Sequence, residues 1–259
     1  DGQCIPEPIA MAVRSYTGAI LLKGAVIMSK PLKPNPAFDK PRADHDSLAE
    51  QLADYHAALD KRAPDIGAAY QALIEKLQRV GTGSTAPKAG DSLPPFLMPD
   101  LEGRLVSSKD LLEKGPLVIS FNRGHWCPFC WLELAALGDI NEAVEEQGGS
   151  IVSITPETAT WNRELKERLH LSYSILSDID NGYSLELGLT MPVSEEIKTL
   201  LEPRGIDLSV FQNNNSSFLP LPAIFIVDQG SVIRETYVNP DYRQRFDPAQ
   251  IPTVLSAID

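Results

Sequence analysis

Cysteine is scarce in this chain: three among 259 residues, Cys4, Cys127 and Cys130. A secreted scaffold held by disulfides would carry more, so stability must come from a hydrophobic core, which this length can supply. Structural zinc needs four ligands, usually from a second C-x-x-C or a histidine pair. The chain has neither, since His45, His56 and His170 are scattered. No metal and no other cofactor is therefore expected. Basic excess is also lacking. The net charge of −12 argues against nucleic acid and anionic membrane as partners. Long apolar runs are absent: the mildly apolar segment Ala10 to Met28 is interrupted by Arg14 and Lys23, too charged to span a bilayer or to serve as the core of a signal peptide. Sparse cysteine with no membrane segment leads us to expect a reducing, cytoplasmic location.

What is present divides into two patterns. Asp1 to about Pro36 reads as a poorly ordered lead-in. Leu48, Leu52, Tyr55 and Leu59 recur at helical spacing within Asp44 to Leu59, and Pro64-Asp65 opens a second helix with Ile66, Tyr70, Leu73 and Leu77 on one face. Residues 44–80 thus form an expected helical hairpin, able to pack on a core, dock a partner or build a homodimer. Residues 81–92, rich in Gly, Ser and Thr, read as a flexible linker and domain boundary. From residue 93 to 259 short strands alternate with helices: strands at Leu117 to Phe121, Ile151 to Ile154, Tyr173 to Leu176, Ile224 to Val227 and Val232 to Val238, with a long helix over Cys127 to Gln147. The last two strands flank Asp228-Gln-Gly-Ser231, a hairpin turn signal. The pattern describes a mixed α/β sandwich. The stretch Pro192 to Leu219 is an insertion that either covers the site or is a solvated loop.

The chemistry concentrates in Phe121-Asn-Arg-Gly-His-Trp-Cys-Pro-Phe-Cys130. Pro128 suits the first position of a helix, which puts Cys127 at the N-cap, where unpaired N–H groups and the helix dipole favour a thiolate. Cys130 lies three residues on, over the same face, within disulfide reach. The layout predicts an exposed attacking thiol, Cys127, and a sheltered one, Cys130. Arg123 can supply positive charge to a thiolate, or be a solvated loop arginine. His125 can be a base, or fill a turn. Trp126 and Phe129 flank the pair. Arg204, Tyr237, Asp241, Tyr242 and Arg243 are further candidates to line a pocket.

A C-x-x-C between strand and helix resembles the thioredoxin-like fold superfamily. Within it, Leu93-Pro-Pro-Phe96, Gly103 to Ser108, Ile175-Leu-Ser-Asp178 and Ala223 to Asp228 resemble the peroxiredoxin-like branch of the alkyl hydroperoxide reductase / thiol-specific antioxidant family, over about Ala86 to Ile258. The resemblance implies a thioredoxin-like sandwich, a central mixed sheet flanked by helices, here preceded by the helical hairpin. It also implies a peroxide substrate, a peroxidatic Cys127, a resolving Cys130 that closes a disulfide, and a thioredoxin-like or glutathione-type reductant. In redox folds of this kind a cis proline sits opposite the cysteines, the place held by Pro222. The chain departs from the family's P-x-x-x-T-x-x-C at Ser120 and Gly124, and from its later glutamate and arginine at Cys130 and Pro222. Cys-Pro-Phe-Cys is similar to the glutaredoxin tetrad. A dithiol–disulfide oxidoreductase acting on protein or glutathione disulfides is thus the alternative activity, and a redox sensor or binding module a third.

Overall fold

The computed structural model describes residues 36–258. The expected lead-in lies outside the described residues, apart from Pro36, which opens a helix. Three helices come first: Pro36–Asp44 (α1), Leu48–Arg62 (α2) and Pro64–Val80 (α3). Ser47 caps α2, its Oγ accepting from the Glu50 N–H at 3.3 Å. Pro64 takes the first position of α3, and Gly81, at φ 69°, ends it in the left-handed conformation that favours glycine. A ribbon pairs Leu97–Pro99 (β1) with Leu105–Ser107 (β2), and Ser108–Leu112 (α4) leads to Leu117–Phe121 (β3). Pro128–Asp139 (α5) and Asn141–Glu146 (α6) reach Ser150–Thr155 (β4), and Ala159–Leu169 (α7) reaches Ser174–Ser177 (β5). After Gly182–Glu186 (α8), a second ribbon of Thr190–Pro192 (β6) and Phe218–Pro220 (β7) brackets Glu195–Leu201 (α9) and Leu208–Gln212 (α10). Ala223–Val227 (β8), Ile233–Val238 (β9) and Ile251–Ser256 (α11) complete the chain. The helix expected over Cys127 to Gln147 is two, broken at Ile140, where ψ is 0°.

The main sheet has the order β5-β4-β3-β8-β9. β3, β4 and β5 run parallel, and β8 and β9 are antiparallel to their neighbours. Every residue of β3 and β8 is buried, as a central strand covered on both faces must be. Side-chain alternation sorts them. Leu117, Ile119 and Phe121 join Ala223, Phe225 and Val227 on one face, while Val118, Ile224 and Ile226 pack with Leu134, Leu137 and Leu165 on the other.

The first of these cores also contains Leu52, Tyr55, Ile66, Tyr70, Ile74 and Leu77. The helical hairpin therefore does not form a domain of its own: the described residues 36–258 lie within one compact unit. Nor is 81–92 a free linker. Ala86 and Leu93 are buried. The Gly90 N–H donates to Ile233 O at 2.8 Å, Ile233 N–H to Asp91 O at 2.9 Å, and Leu93 N–H to Ser231 O at 2.8 Å. A polar, glycine-rich composition signals an absence of side chains to pack, but such a backbone can still pair along β9. The hairpin covers α5, and Phe129, Cys130, Trp131 and Leu132 are buried on successive sides of that helix, which explains why its sequence lacks the polar stripe of a surface helix.

Because the hairpin shares the core, Ile74→Ala should cost the whole protein about 2–5 kcal/mol. In urea, circular dichroism and tryptophan fluorescence should follow one coincident transition; two separated transitions would restore an independent hairpin.

Candidate active site

The site is built where β3 ends. The Asn122 N–H still donates to Ile154 O at 2.9 Å, and its side-chain amide binds Ser120 Oγ at 2.9 Å and Ser153 Oγ at 2.8 Å. That buried polar clamp fixes the exit angle of the loop. Gly124 follows with φ 132°, and a Cβ there would sit 2.5 Å from the Glu157 carboxylate. Glu157, itself buried, accepts from the His125 backbone N–H at 2.6 Å and pairs with His125 Nδ1 at 2.8 Å. The His125 ring stacks on Trp161, centroids 4.7 Å apart, and meets Phe211 edge-on at 4.5 Å. So the ring's hydrogen bond goes to Glu157, and its position pins the loop.

Cys127 is the N-cap of α5 with Pro128 at the first position, as expected. Its carbonyl accepts from the N–H groups of Cys130 and Trp131 at 3.0 and 3.1 Å. The expectation of an exposed Cys127 is wrong. Both cysteines are free thiols and fully buried, because the hairpin and the segment after β9 bring aromatic rings over the turn. Phe129 packs edge-on against Tyr55 at 4.9 Å and Tyr242 at 5.1 Å, and Tyr70 packs against Tyr242 at 5.1 Å.

Arg123 stands inside this box, 2% exposed. Its Nη2 donates to Cys127 Sγ at 3.0 Å. Its guanidinium lies 3.7 Å from the Tyr242 ring centroid and 5.2 Å from those of Tyr70 and Trp126, so ring faces replace much of the water a cation would have. On the far side, Arg245 Nη2 donates to Cys130 Sγ at 3.5 Å, its Nε donates to Tyr242 O at 2.7 Å, and its Nη1 is in contact with Glu133. Burial pushes the Cys127 thiol up. The hydrogen bond from the Cys130 thiol and the charges of Arg123 and Arg245 outweigh it, holding Cys127 down at about 5. Cys130 is driven the other way, by burial and then by the neighbouring thiolate. Burial raises Glu133 to about 7 against the pull of Arg245. The pair is therefore one thiolate and one protonated thiol acting as its donor.

The structure gathers Cys127, Cys130, Arg123 and Trp126 at one place and ties His125 to Glu157. Pro222 is corrected. It precedes Ala223, which pairs with Phe121 beside the turn, but no peptide bond among the described residues is cis. The trans form is the intrinsically favoured one for X-Pro. The N–H of the preceding Leu221 binds Leu189 O at 2.7 Å. Arg204 and Tyr242 do line a cavity beside the site, and so do Leu201 and Ile206 of the insertion. Asp241 and Arg243 instead pair with each other, Arg243 reaching His56 at 3.0 Å and Gln71 at 2.9 Å, and Tyr237 packs on Phe246. Sequence reasoning missed Glu133, Glu157, Tyr70 and Arg245. Glu133 was legible in principle, three residues beyond Cys130 on the same helical face; the others had no local signal.

The chain matches the AhpC/TSA family over residues 89–236. It is similar to a putative chloroplastic peroxiredoxin Q of Oryza sativa subsp. indica, 28% identical over 130 residues, 48% of this chain and 58% of that protein. The chain thus spans little more than half the length of that relative. It is also similar to the thiol-disulfide oxidoreductase ResA of Bacillus cereus, 26% identical over 168 residues, 64% of this chain and 75% of that one. Among solved structures, peroxidoxin BcpB of Mycobacterium tuberculosis superposes with a TM-score of 0.52 at 19% identity, covering 66% of this chain and 98% of that one. With its five-stranded mixed sheet, its cysteine pair at the end of β3 and a family match over more than half its residues, the chain belongs to the AhpC/TSA family of peroxiredoxin-like, thioredoxin-fold proteins.

Proposed function

We propose that the protein is a thiol peroxidase. One observation carries the reading: a cysteine sulfur with no solvent exposure, held as thiolate by a buried guanidinium at 3.0 Å. A thiolate is the nucleophile for a peroxide O–O bond, and its desolvation raises its reactivity. In the first step the Cys127 sulfur attacks the terminal oxygen of a hydroperoxide. An S–O bond forms, the O–O bond breaks, and sulfur loses two electrons to the peroxide. The leaving alkoxide or hydroxide takes one proton from water, giving alcohol or water and a sulfenic acid on Cys127. In the second step the Cys130 sulfur displaces the sulfenic hydroxyl, its own proton leaving with it as water, and a Cys127–Cys130 disulfide closes. A dithiol of thioredoxin or glutathione type then returns both sulfurs to the reduced state. Such a cycle suits a reducing, cytoplasmic compartment.

Arg123 has two duties in this account. It stabilises the attacking thiolate, and its remaining N–H groups face the charge that develops on the leaving oxygen. Arg245 and Glu133 balance the second sulfur, so that closing the disulfide, which removes the Cys127 charge, leaves the box with one carboxylate for its two guanidinium groups. The oxidised form is thereby disfavoured relative to the reduced one, which makes its regeneration by an external dithiol favourable.

The likeness to ResA and the Cys-Pro-Phe-Cys tetrad support a second reading, exchange with protein or glutathione disulfides. Burial of both sulfurs weighs against it, because a macromolecular disulfide needs an accessible attacking thiol.

Stopped-flow mixing of the reduced protein with peroxide should show oxidation that Cys127→Ser abolishes; a Cys127→Ser variant that consumes peroxide as fast as wild type would end the proposal. After one equivalent of peroxide, mass spectrometry should find an internal disulfide in the wild type and a sulfenic acid on Cys127 in Cys130→Ser. Arg123→Met should lower the rate constant by about 10²-fold, the scale for loss of a preorganised donor to a developing anion.

A further inference from the structure

A cavity of about 310 Å³ lies between the helical hairpin and the β3–α5 turn. Its lining holds three arginines, Arg62, Arg123 and Arg204, and among the described residues no aspartate or glutamate. Neither Cys127 nor Cys130 lines it. We propose that this cavity binds a small amphiphilic anion, a carboxylate on a hydrocarbon body, with the carboxylate on Arg62 at the mouth and the hydrocarbon inside. The proposal concerns a separate ligand site and does not depend on the peroxidase reading.

Three observations lead to it. The first is charge. The chain carries 35 aspartates and glutamates against 23 lysines and arginines, so a cavity whose charged lining is wholly cationic runs against its composition. Arg62 is exposed at the mouth. Among the described residues its guanidinium meets only Tyr55, its Nη2 donating to the hydroxyl at 3.4 Å and its centre 5.8 Å from the ring centroid. Arg204, by contrast, is paired with Asp65 at 3.0 Å. A ligand carboxylate therefore finds at Arg62 a planar fork of donors that no carboxylate of the fold occupies. The second observation is the inner wall. Arg123 Nε and Nη1, Trp126 Nε1 and Tyr70 Oη are buried without a hydrogen-bond partner among the described residues, and Cys127 engages Arg123 only through Nη2. Buried donors are ordinarily satisfied. Left unpaired along one wall, they add a positive potential that an anion in the cavity gains from without touching them. The third is the character of the remaining walls. Leu59, Ile66, Phe129, Leu201 and Ile206 are aliphatic or aromatic, and they suit a hydrocarbon body, which gains by leaving water. The volume is at the lower end of small-molecule pockets.

Together these features select a ligand class. A cation would be repelled by the three arginines. A neutral hydrocarbon would fill the walls but leave Arg62 without a counter-charge. A polyanion rich in hydroxyl groups would have to bury polar atoms against aliphatic walls that offer them no partner. One negative charge on an apolar body meets both demands. The site is a feature of the hairpin and not of the segment shared with the family: Leu59, Arg62 and Ile66 all precede residue 89, where the family match begins.

The test compares octanoate, octanol and octylammonium, one hydrocarbon with three head groups, by calorimetry on the reduced protein at about pH 7, where the carboxylate is ionised. Octanoate should bind more tightly than octanol, and more than about tenfold more tightly than octylammonium. That order opposes the one that a net charge of −12 would impose on its own. In Arg62→Gln the octanoate affinity should fall about tenfold, the scale of a charge-assisted hydrogen bond, with octanol unchanged; this exposed substitution leaves the core intact. In Leu59→Trp, which narrows the cavity, both ligands should bind more weakly. Ile206→Trp, from a different segment of the wall, makes the same check should Leu59→Trp fail to fold. No octanoate binding, octylammonium bound as tightly as octanoate, a wild-type octanoate affinity in Arg62→Gln, or binding indifferent to the wall variants overturns the proposal. Octanoate binding that follows the predicted order in a protein that consumes no peroxide upholds the anion site and overturns the peroxidase reading. Peroxide consumption with no octanoate binding does the reverse.

Discussion

A charged guanidinium and a charged sulfur share a space from which water is shut out, and the rest of this structure is arranged around that fact. Either ion alone would be very costly to bury. Together, at 3.0 Å, they offset one another. The remaining deficit is met by ring faces: Tyr242, Tyr70 and Trp126 surround Arg123. A second buried pair, Arg245 with Glu133, sits behind Cys130. Two guanidinium groups thus face one thiolate and, above about pH 7, one carboxylate, which brings the box close to neutral while the site is reduced. Remove any member and a charge is left uncompensated in a low-dielectric interior.

The requirement for a dry box explains the architecture outside the family match. β3 and α5 alone would leave Cys127 at a surface, as N-cap residues ordinarily are. The helices α2 and α3, the end of α9 with the turn that follows it, and the segment after β9 each contribute side chains beside it. The loop between β3 and α5 is held from beneath by Asn122, Glu157 and His125. That support sets where Arg123 and Cys127 stand relative to each other. It also removes the space in which a side chain at Gly124 would fit.

Local pattern made the central parts of this legible. An apolar run ending in Arg-Gly-His-Trp-Cys-Pro-Phe-Cys places the cysteines at a strand-to-helix junction, and the periodicities within 44–59 and 64–80 give two helices with their apolar faces as observed, the first beginning at Leu48 rather than Asp44, which instead ends the separate helix α1. Arg123 was a candidate for the reason it now matters, its charge four residues before a sulfur. What local pattern could not carry was distance. Arg245 lies 115 residues from the cysteine it touches, and Tyr70 reaches the site only because the hairpin docks on α5. Burial of Cys127 is a property of those remote contacts, which is why an N-cap position suggested exposure. The 81–92 segment misled for a related reason: its backbone, not its side chains, holds it against β9. At Pro222, position in the fold was readable but the isomer of the peptide bond was not, since a strand-leading proline looks the same in sequence in either form.

If a thiolate held by Arg123 is the centre of this protein, its titration is the measurement to make. The ultraviolet absorbance of the thiolate, followed as the reduced protein is acidified, should fall with a midpoint near 5, far below the value of about 8.5 for an unperturbed cysteine. The sign of the linked stability follows. A group whose folded value is depressed stabilises the fold fully above its unfolded value, and that contribution is lost as pH falls through the folded midpoint; melting temperature should therefore decline between about pH 8.5 and about pH 5. In Arg123→Met the midpoint should move up towards the ordinary range. A wild-type midpoint already in that range, or one that Arg123→Met leaves where it was, would contradict the account.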